Sequence, residues 1–141
     1  MTEIQAALGI IQMSRIDSFI SSRHKLKEKY DSLLSSLPVI RPYQDQDCYS
    51  ALHLYPIQII LSEVNKNRKM IFEELRENNI GVNVHYIPIH KQPYYTALGF
   101  NNGNFPNCEA YYDRAISIPL FHSMTEFQQD EVFNALRMAL K

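Results

Sequence analysis

The chain has 141 residues, with 45% hydrophobic and 21% charged residues, a length and balance that suit one globular domain with a real core. Fourteen basic residues against fifteen acidic ones leave a net charge of −1 with no basic block, which gives no footprint for nucleic acid. No apolar run approaches the roughly 20 residues that span a bilayer, and no positive charge leads the apolar N-terminus as in a signal peptide, so the expected location is cytoplasmic.

Thr2-Glu3-Ile4-Gln5 has the form of a capping box, and apolar residues then recur at helical spacing through Ile4, Leu8, Ile11, Phe19, Leu26, Tyr30 and Leu34. The pattern predicts one long helix from Glu3 to about Ser36, close to about 50 Å at 1.5 Å per residue. A helix of that length exceeds what this core needs and suits a bridge between domains or subunits. A break near Ser21-Ser22, giving two helices, is the alternative.

Pro38 closes the helix and Pro42 to Ser50 reads as a polar loop. Leu52 to Leu61 is strand-like, with Pro56 calling for an edge or bulge. Asn65 is placed to cap a helix through Met70, Ile71, Phe72 and Leu75 that ends at Asn78-Asn79. A strand over Gly81 to Ile87 follows. Pro106 suits the first turn of a short helix to Arg114, with Tyr111 and Tyr112 as its core and surface sides. Ile116 to Leu120 is a third strand, and Thr125 to Gln128 is a second capping box opening a final helix. The expected fold is α+β: a small two-layer sandwich of a short three-stranded sheet with helices, preceded by the long N-terminal helix. Residues 1–37 form the linking helix and residues 38–141 one structural unit.

Chemistry concentrates between Ile80 and Phe105, where His85, Tyr86, His90, Lys91, Tyr94 and Tyr95 follow a strand exit stiffened by Pro88 and Pro93. These rings can meet a ligand or simply pack in a half-buried loop. Pro88 forbids the one-turn geometry that would bring His85 and His90 together on a metal. Cys48 and Cys108 are too far apart for a zinc pair and read as reduced thiols. There is no G-x-S-x-G elbow, no G-x-G-x-x-G and no P-loop.

The segments MTEIQAALGIIQMSRIDSFISSR, HLYPIQI, GVNVHYIPIHKQPYY, FPNCEAYYDRAISIPLF and MTEFQQDEV together resemble, in order and spacing, the C-terminal part of the sugar-nucleotide aminotransferases that use pyridoxal phosphate on the aspartate-aminotransferase fold. The resemblance covers the whole chain and implies the small domain of such an enzyme. It implies transfer of an amino group from an amino acid, glutamate foremost, to C4 of a UDP-linked 4-keto-6-deoxy sugar. The family's Schiff-base lysine and phosphate-binding motifs are missing here. The expectation is therefore no cofactor in this chain alone, pyridoxal phosphate in the full-length family, and no activity alone. Its partners would be the UDP-sugar and either a second copy in a homodimer or a large aminotransferase domain. By matching positions, Asn83, Val84, His85 and Tyr86 would border the substrate, with no catalytic residue. His53, Tyr55 and His90 are second-rank candidates, each equally suited to packing. Three arrangements stay open: a small domain inert alone, one complemented by a separate large domain, and a stand-alone interaction module that keeps the fold without the chemistry.

Overall fold

The computed structural model describes residues 1–141. Thr2 caps α1 (Glu3–Ser14) through its hydroxyl, and Gln5 returns the bond, so the capping box forms as its sequence requires. The expected continuous helix does not form. It ends at Arg15, and α2 begins again at Ile16–Leu33, tailed by a 3₁₀ turn at Leu34–Ser36. Local polar competition supplies the reason. The Arg15 N–H reaches Gln12 O at 3.1 Å, tightening the last turn, while the hydroxyls of Ser14 and Ser18 donate to Ile11 O and Arg15 O. Ser21 and Ser22, the other suspected break, lie inside α2.

The sheet is antiparallel with order β1-β2-β3, built from Val39–Ile40, Tyr55–Ile59 and Ala115–Ile118. It keeps the expected count of three strands with one different member. Gly81 to Ile87 does not form a strand; only Asn83 makes a bridge, to Ser117. Asn79 at φ 60° ends the preceding helix and the Val82 N–H turns back to Ile80 O at 2.9 Å, which leaves too little extended chain before Pro88 for a ladder. Val39–Ile40 takes the third place instead. At two residues, between Pro38 and Pro42, it is too short to show a period.

Pro56 lies in the middle strand, yet the sheet tolerates it. Ile59 donates to Arg114 O, so odd residues of β2 face β3 and the Pro56 nitrogen faces the other side, where β1 pairs only as far as Gln58. The edge is local. Register joins Ile57 to Ile116 and Tyr55 to Ile118 on one face, and Pro56 to Ser117 on the opposite face.

The first of these faces is the core. Ile57, Ile59, Ile116, Ile71, Leu75, Val132 and Leu136 bury together with Leu26, Tyr30 and Leu34 of the α2 region. Here α3 (Arg68–Glu77) supplies Ile71 and Leu75, and α6 (Glu126–Ala139) supplies Val132 and Leu136. Phe72 packs partly buried at the margin while Met70 stays exposed. The cap of α3 is Asn67, whose side chain accepts from the Met70 N–H at 3.0 Å, and not Asn65. Asn67→Ala is therefore expected to cost about 1 kcal/mol in urea unfolding, with Asn65→Ala close to neutral. Equal losses from both would return the cap to Asn65.

Two short helices follow: α4 (Pro93–Ala97) forms within the aromatic stretch that reads as loop in sequence, and α5 (Pro106–Tyr112) is the short helix expected from Pro106. Each starts on a proline, whose fixed φ suits a first turn. Tyr111 and Tyr112 are both half-buried, contrary to a core-and-surface split; Arg68 lies 4.8 Å and Lys91 5.4 Å from the Tyr112 ring.

Candidate functional site

The segment after α3 leaves the sheet edge at Asn83. Asn83 N–H donates to Ser117 O at 3.1 Å and Ser117 N–H to Asn83 O at 2.8 Å, after which regular pairing stops. The chain is then free to turn its side chains to a common side, the condition under which Asn83, Val84, His85 and Tyr86 can meet one ligand. Val84 and His85 are half-buried, Asn83 is exposed, and Tyr86 stands 76% exposed with its ring edge-on to His85 at 4.8 Å. The peptide joining His85 to Tyr86 is cis. Nδ1 of His85 lies 2.8 Å from the Ser117 hydroxyl. Since Ser117 is on the sheet face opposite Ile116, His85 sits across the sheet from the main core.

The second-rank residues go elsewhere. His53 is exposed before β2. Tyr55 is core: it shares a face with Ile57, and its hydroxyl donates to Asp31 Oδ1 at 2.5 Å. His90 is 7% exposed and donates through Nε2 to Glu109 Oε1 at 2.9 Å. His85 and His90 are thus tied to different partners, and no group of three or more His, Cys, Asp or Glu converges as a metal site. Both cysteines are free and exposed.

Glu109 is a residue that composition and spacing did not single out. It accepts from both His90 and the Gly103 N–H, each at 2.9 Å, and from the Phe105 N–H at 3.4 Å, so one carboxylate gathers the segment between α4 and α5. Gly103, at φ 92°, has the backbone freedom that this turn requires. The Gly103 amide holds the Glu109 carboxyl below the usual carboxylate range; Phe105, His90 and Lys91 add to this, and partial desolvation opposes it. A depressed pKa contributes stability that is present above the unfolded value of about 4.3 and is lost as pH falls through the lower folded value. The Gly103 amide resonance is expected to hold steady from neutral pH downward and to move only below about pH 4.3. A change centred above that value would remove the carboxylate from this role. Beside the clasp lies a cavity of about 340 Å³ lined by Ile89, His90, Tyr95, Phe100, Phe105 and Cys108.

None of the seven lysines fits the desolvated amine that pyridoxal phosphate chemistry requires. None is buried, and Lys27, Lys29, Lys66 and Lys69 lie against Asp31, Asp130, Glu74 and Glu73.

The chain is 36% identical to the uncharacterized protein MJ1066 of Methanocaldococcus jannaschii, over 97% of this chain and 36% of that protein. It is 35% identical to the spore coat polysaccharide biosynthesis protein SpsC of Bacillus subtilis, over 100% of this chain and 37% of that one. It therefore spans little more than a third of these relatives. Among solved structures, PseC of Helicobacter pylori, an aminotransferase involved in the biosynthesis of pseudoaminic acid, superposes with a TM-score of 0.89 at 26% identity, over 99% of this chain and 38% of that one. The pyridoxal-phosphate form of Spr1654, a sugar aminotransferase of Streptococcus pneumoniae by its description, gives 0.88 at 28% identity, over 99% and 36%. Residues 1–137 match the DegT/DnrJ/EryC1/StrS aminotransferase family, and the chain belongs to that family.

Proposed function

We propose that this chain is the small-domain portion of a pyridoxal-phosphate aminotransferase and supplies part of its sugar-nucleotide site. In the complete enzyme an amino group passes from an amino acid, glutamate foremost, to C4 of a UDP-linked 4-keto-6-deoxy sugar. The reaction is the one carried out by UDP-4-amino-4,6-dideoxy-N-acetyl-β-L-altrosamine transaminase in pseudaminic acid synthesis. Family membership and the likeness to PseC support the reaction class. The observation that carries the site is the placement of Asn83 to Tyr86: anchored on β3 at one end, released from the ladder, and leaving Tyr86 76% exposed. The cofactor, when held by the large domain, supplies the electron sink for amino transfer, and this chain's part is to bind and orient the sugar nucleotide.

Residues 1–37 link the two domains and residues 38–141 form the small domain, with Leu26, Tyr30 and Leu34 anchoring the link in the core. On α1 no residue is buried, and Ile4, Leu8 and Ile11 are 83%, 61% and 57% exposed. Such an apolar stripe suits cover by a large domain or a second copy.

The test joins this chain to the large domain of a family relative and follows turnover of the UDP-keto-sugar. His85→Ala or Tyr86→Phe is expected to raise KM by roughly 5- to 150-fold, the loss of about 1–3 kcal/mol, with the cofactor absorbance unchanged. His122→Ala, whose ring packs on Phe19, should alter neither. Normal KM with lost cofactor absorbance in the two site variants would move this loop from the sugar to the cofactor.

A further inference from the structure

Ser117 holds both ends of the Asn83–His85 segment. Its backbone exchanges two hydrogen bonds with Asn83, and its hydroxyl lies 2.8 Å from Nδ1 of His85. The residue is only 6% exposed, and His85 is the one hydrogen-bond partner of its hydroxyl. A buried hydroxyl that keeps its proton idle forfeits a hydrogen bond, so the Ser117 O–H donates and Nδ1 accepts. A neutral imidazole whose Nδ1 accepts carries its proton on Nε2.

We infer that Ser117 is a positioning residue that fixes His85 as the Nε2–H tautomer, so that the loop offers its ligand a hydrogen-bond donor. The ligand atom that suits it is an acceptor oxygen: a carbonyl, a hydroxyl or a phosphate oxygen. An ammonium at the same point would set donor against donor. The consequence for substrate rests on the reading of His85 given above, whereas the tautomer rests on the β3 geometry alone.

The experiment is nitrogen-15 NMR of the histidine rings in the 141-residue chain, at a pH where His85 is neutral. The expected spectrum shows His85 with an unprotonated Nδ1 and a protonated Nε2. Ser117→Thr, which keeps the hydroxyl, should preserve that pattern. Ser117→Ala should release the ring to a mixture of tautomers, with slow exchange of the Asn83 amide showing that the bridge to β3 survives. A protonated Nδ1 in the unsubstituted chain overturns the inference, and that measurement stands even where the alanine variant does not fold. So does an unchanged pattern in Ser117→Ala with the bridge intact. In the enzyme completed with a large domain, Ser117→Ala should raise KM by roughly 2- to 10-fold and Ser117→Thr should restore it. A correct tautomer beside a normal KM in His85→Ala would keep the positioning role and discard the substrate role.

Discussion

Ile57→Ala is expected to lower the free energy of unfolding by about 2–5 kcal/mol, a large share of the roughly 5–15 kcal/mol that holds a domain of this kind together. Ile57 is fully buried at the centre of β2 and faces Ile116 across the ladder. Neighbours on both strands and the helices behind them are fixed by backbone hydrogen bonds, so the space left by three missing carbons cannot collapse, and the cavity adds to the lost transfer energy. Ile4→Ala makes the internal control. The same side chain is 83% exposed on α1, and its removal should change stability by no more than about 0.5 kcal/mol. Urea titration with an unchanged m-value reads both. A loss below about 1 kcal/mol at Ile57 would mean that the sheet is not the centre of the core.

Alkaline pH should unfold the chain through two tyrosines. Tyr30 and Tyr55 have no exposed surface. Burial pushes the Tyr30 hydroxyl far above its ordinary value. For Tyr55 burial is the largest cause, the hydrogen bond and charge of Asp31 push the same way, and Arg41 opposes them. Both rings therefore keep their protons in the fold while the unfolded chain releases them near pH 10. The sign follows directly. A raised pKa contributes stability that is whole below about pH 10 and is lost as pH rises beyond it, because the native state then binds more protons than the unfolded one. Each tyrosine steepens the fall by about 1.4 kcal/mol per pH unit, and the pair by about 2.7. Tyr30→Phe and Tyr55→Phe should each remove one increment of that slope. Their stability at neutral pH will also change, since Tyr30 donates to Pro119 O at 3.1 Å and Tyr55 to Asp31, but the slope isolates the titration. Free energies of unfolding measured between about pH 8 and 11 decide the matter; an unaltered slope in both variants would place their ionisation outside the folding equilibrium.

Elements whose signals are local were legible in the chain. The capping boxes at Thr2 and Thr125 form as written, because each needs only residues three positions apart. Pro106 opens α5 and Asn79 takes a left-handed conformation after α3, again from properties of single residues. The second of the three expected strands fails to form for the opposite reason. Gly81 to Ile87 has strand composition but only Asn83 reaches a partner, while Val39–Ile40 has almost no signal and pairs because β2 lies beside it. Asn67 displaced Asn65 as cap because helix entry depended on how the chain left β2, which two nearby asparagines do not reveal.

For the candidate site the division is similar. Side-chain type and the two prolines marked His85, Tyr86 and the aromatic stretch beyond them, the resemblance alone added Asn83 and Val84, and the order of the five segments pointed to the family to which the chain belongs. Pattern alone did not reveal that Ser117, 32 residues on, holds His85, or that Glu109, 19 residues on, clasps His90. The sequence by itself determined the capped starts of α1 and α6, the proline start of α5, the end of α3, the α+β class and the location of the polar loop, since these follow from propensities and spacings within one turn or one strand. Tertiary structure alone decided which three segments share the sheet, that Tyr55 serves the core, and which hydroxyl and carboxylate hold the two histidines. Those outcomes depend on contacts between residues far apart in the chain, whose free energy exists only once the core has brought them together.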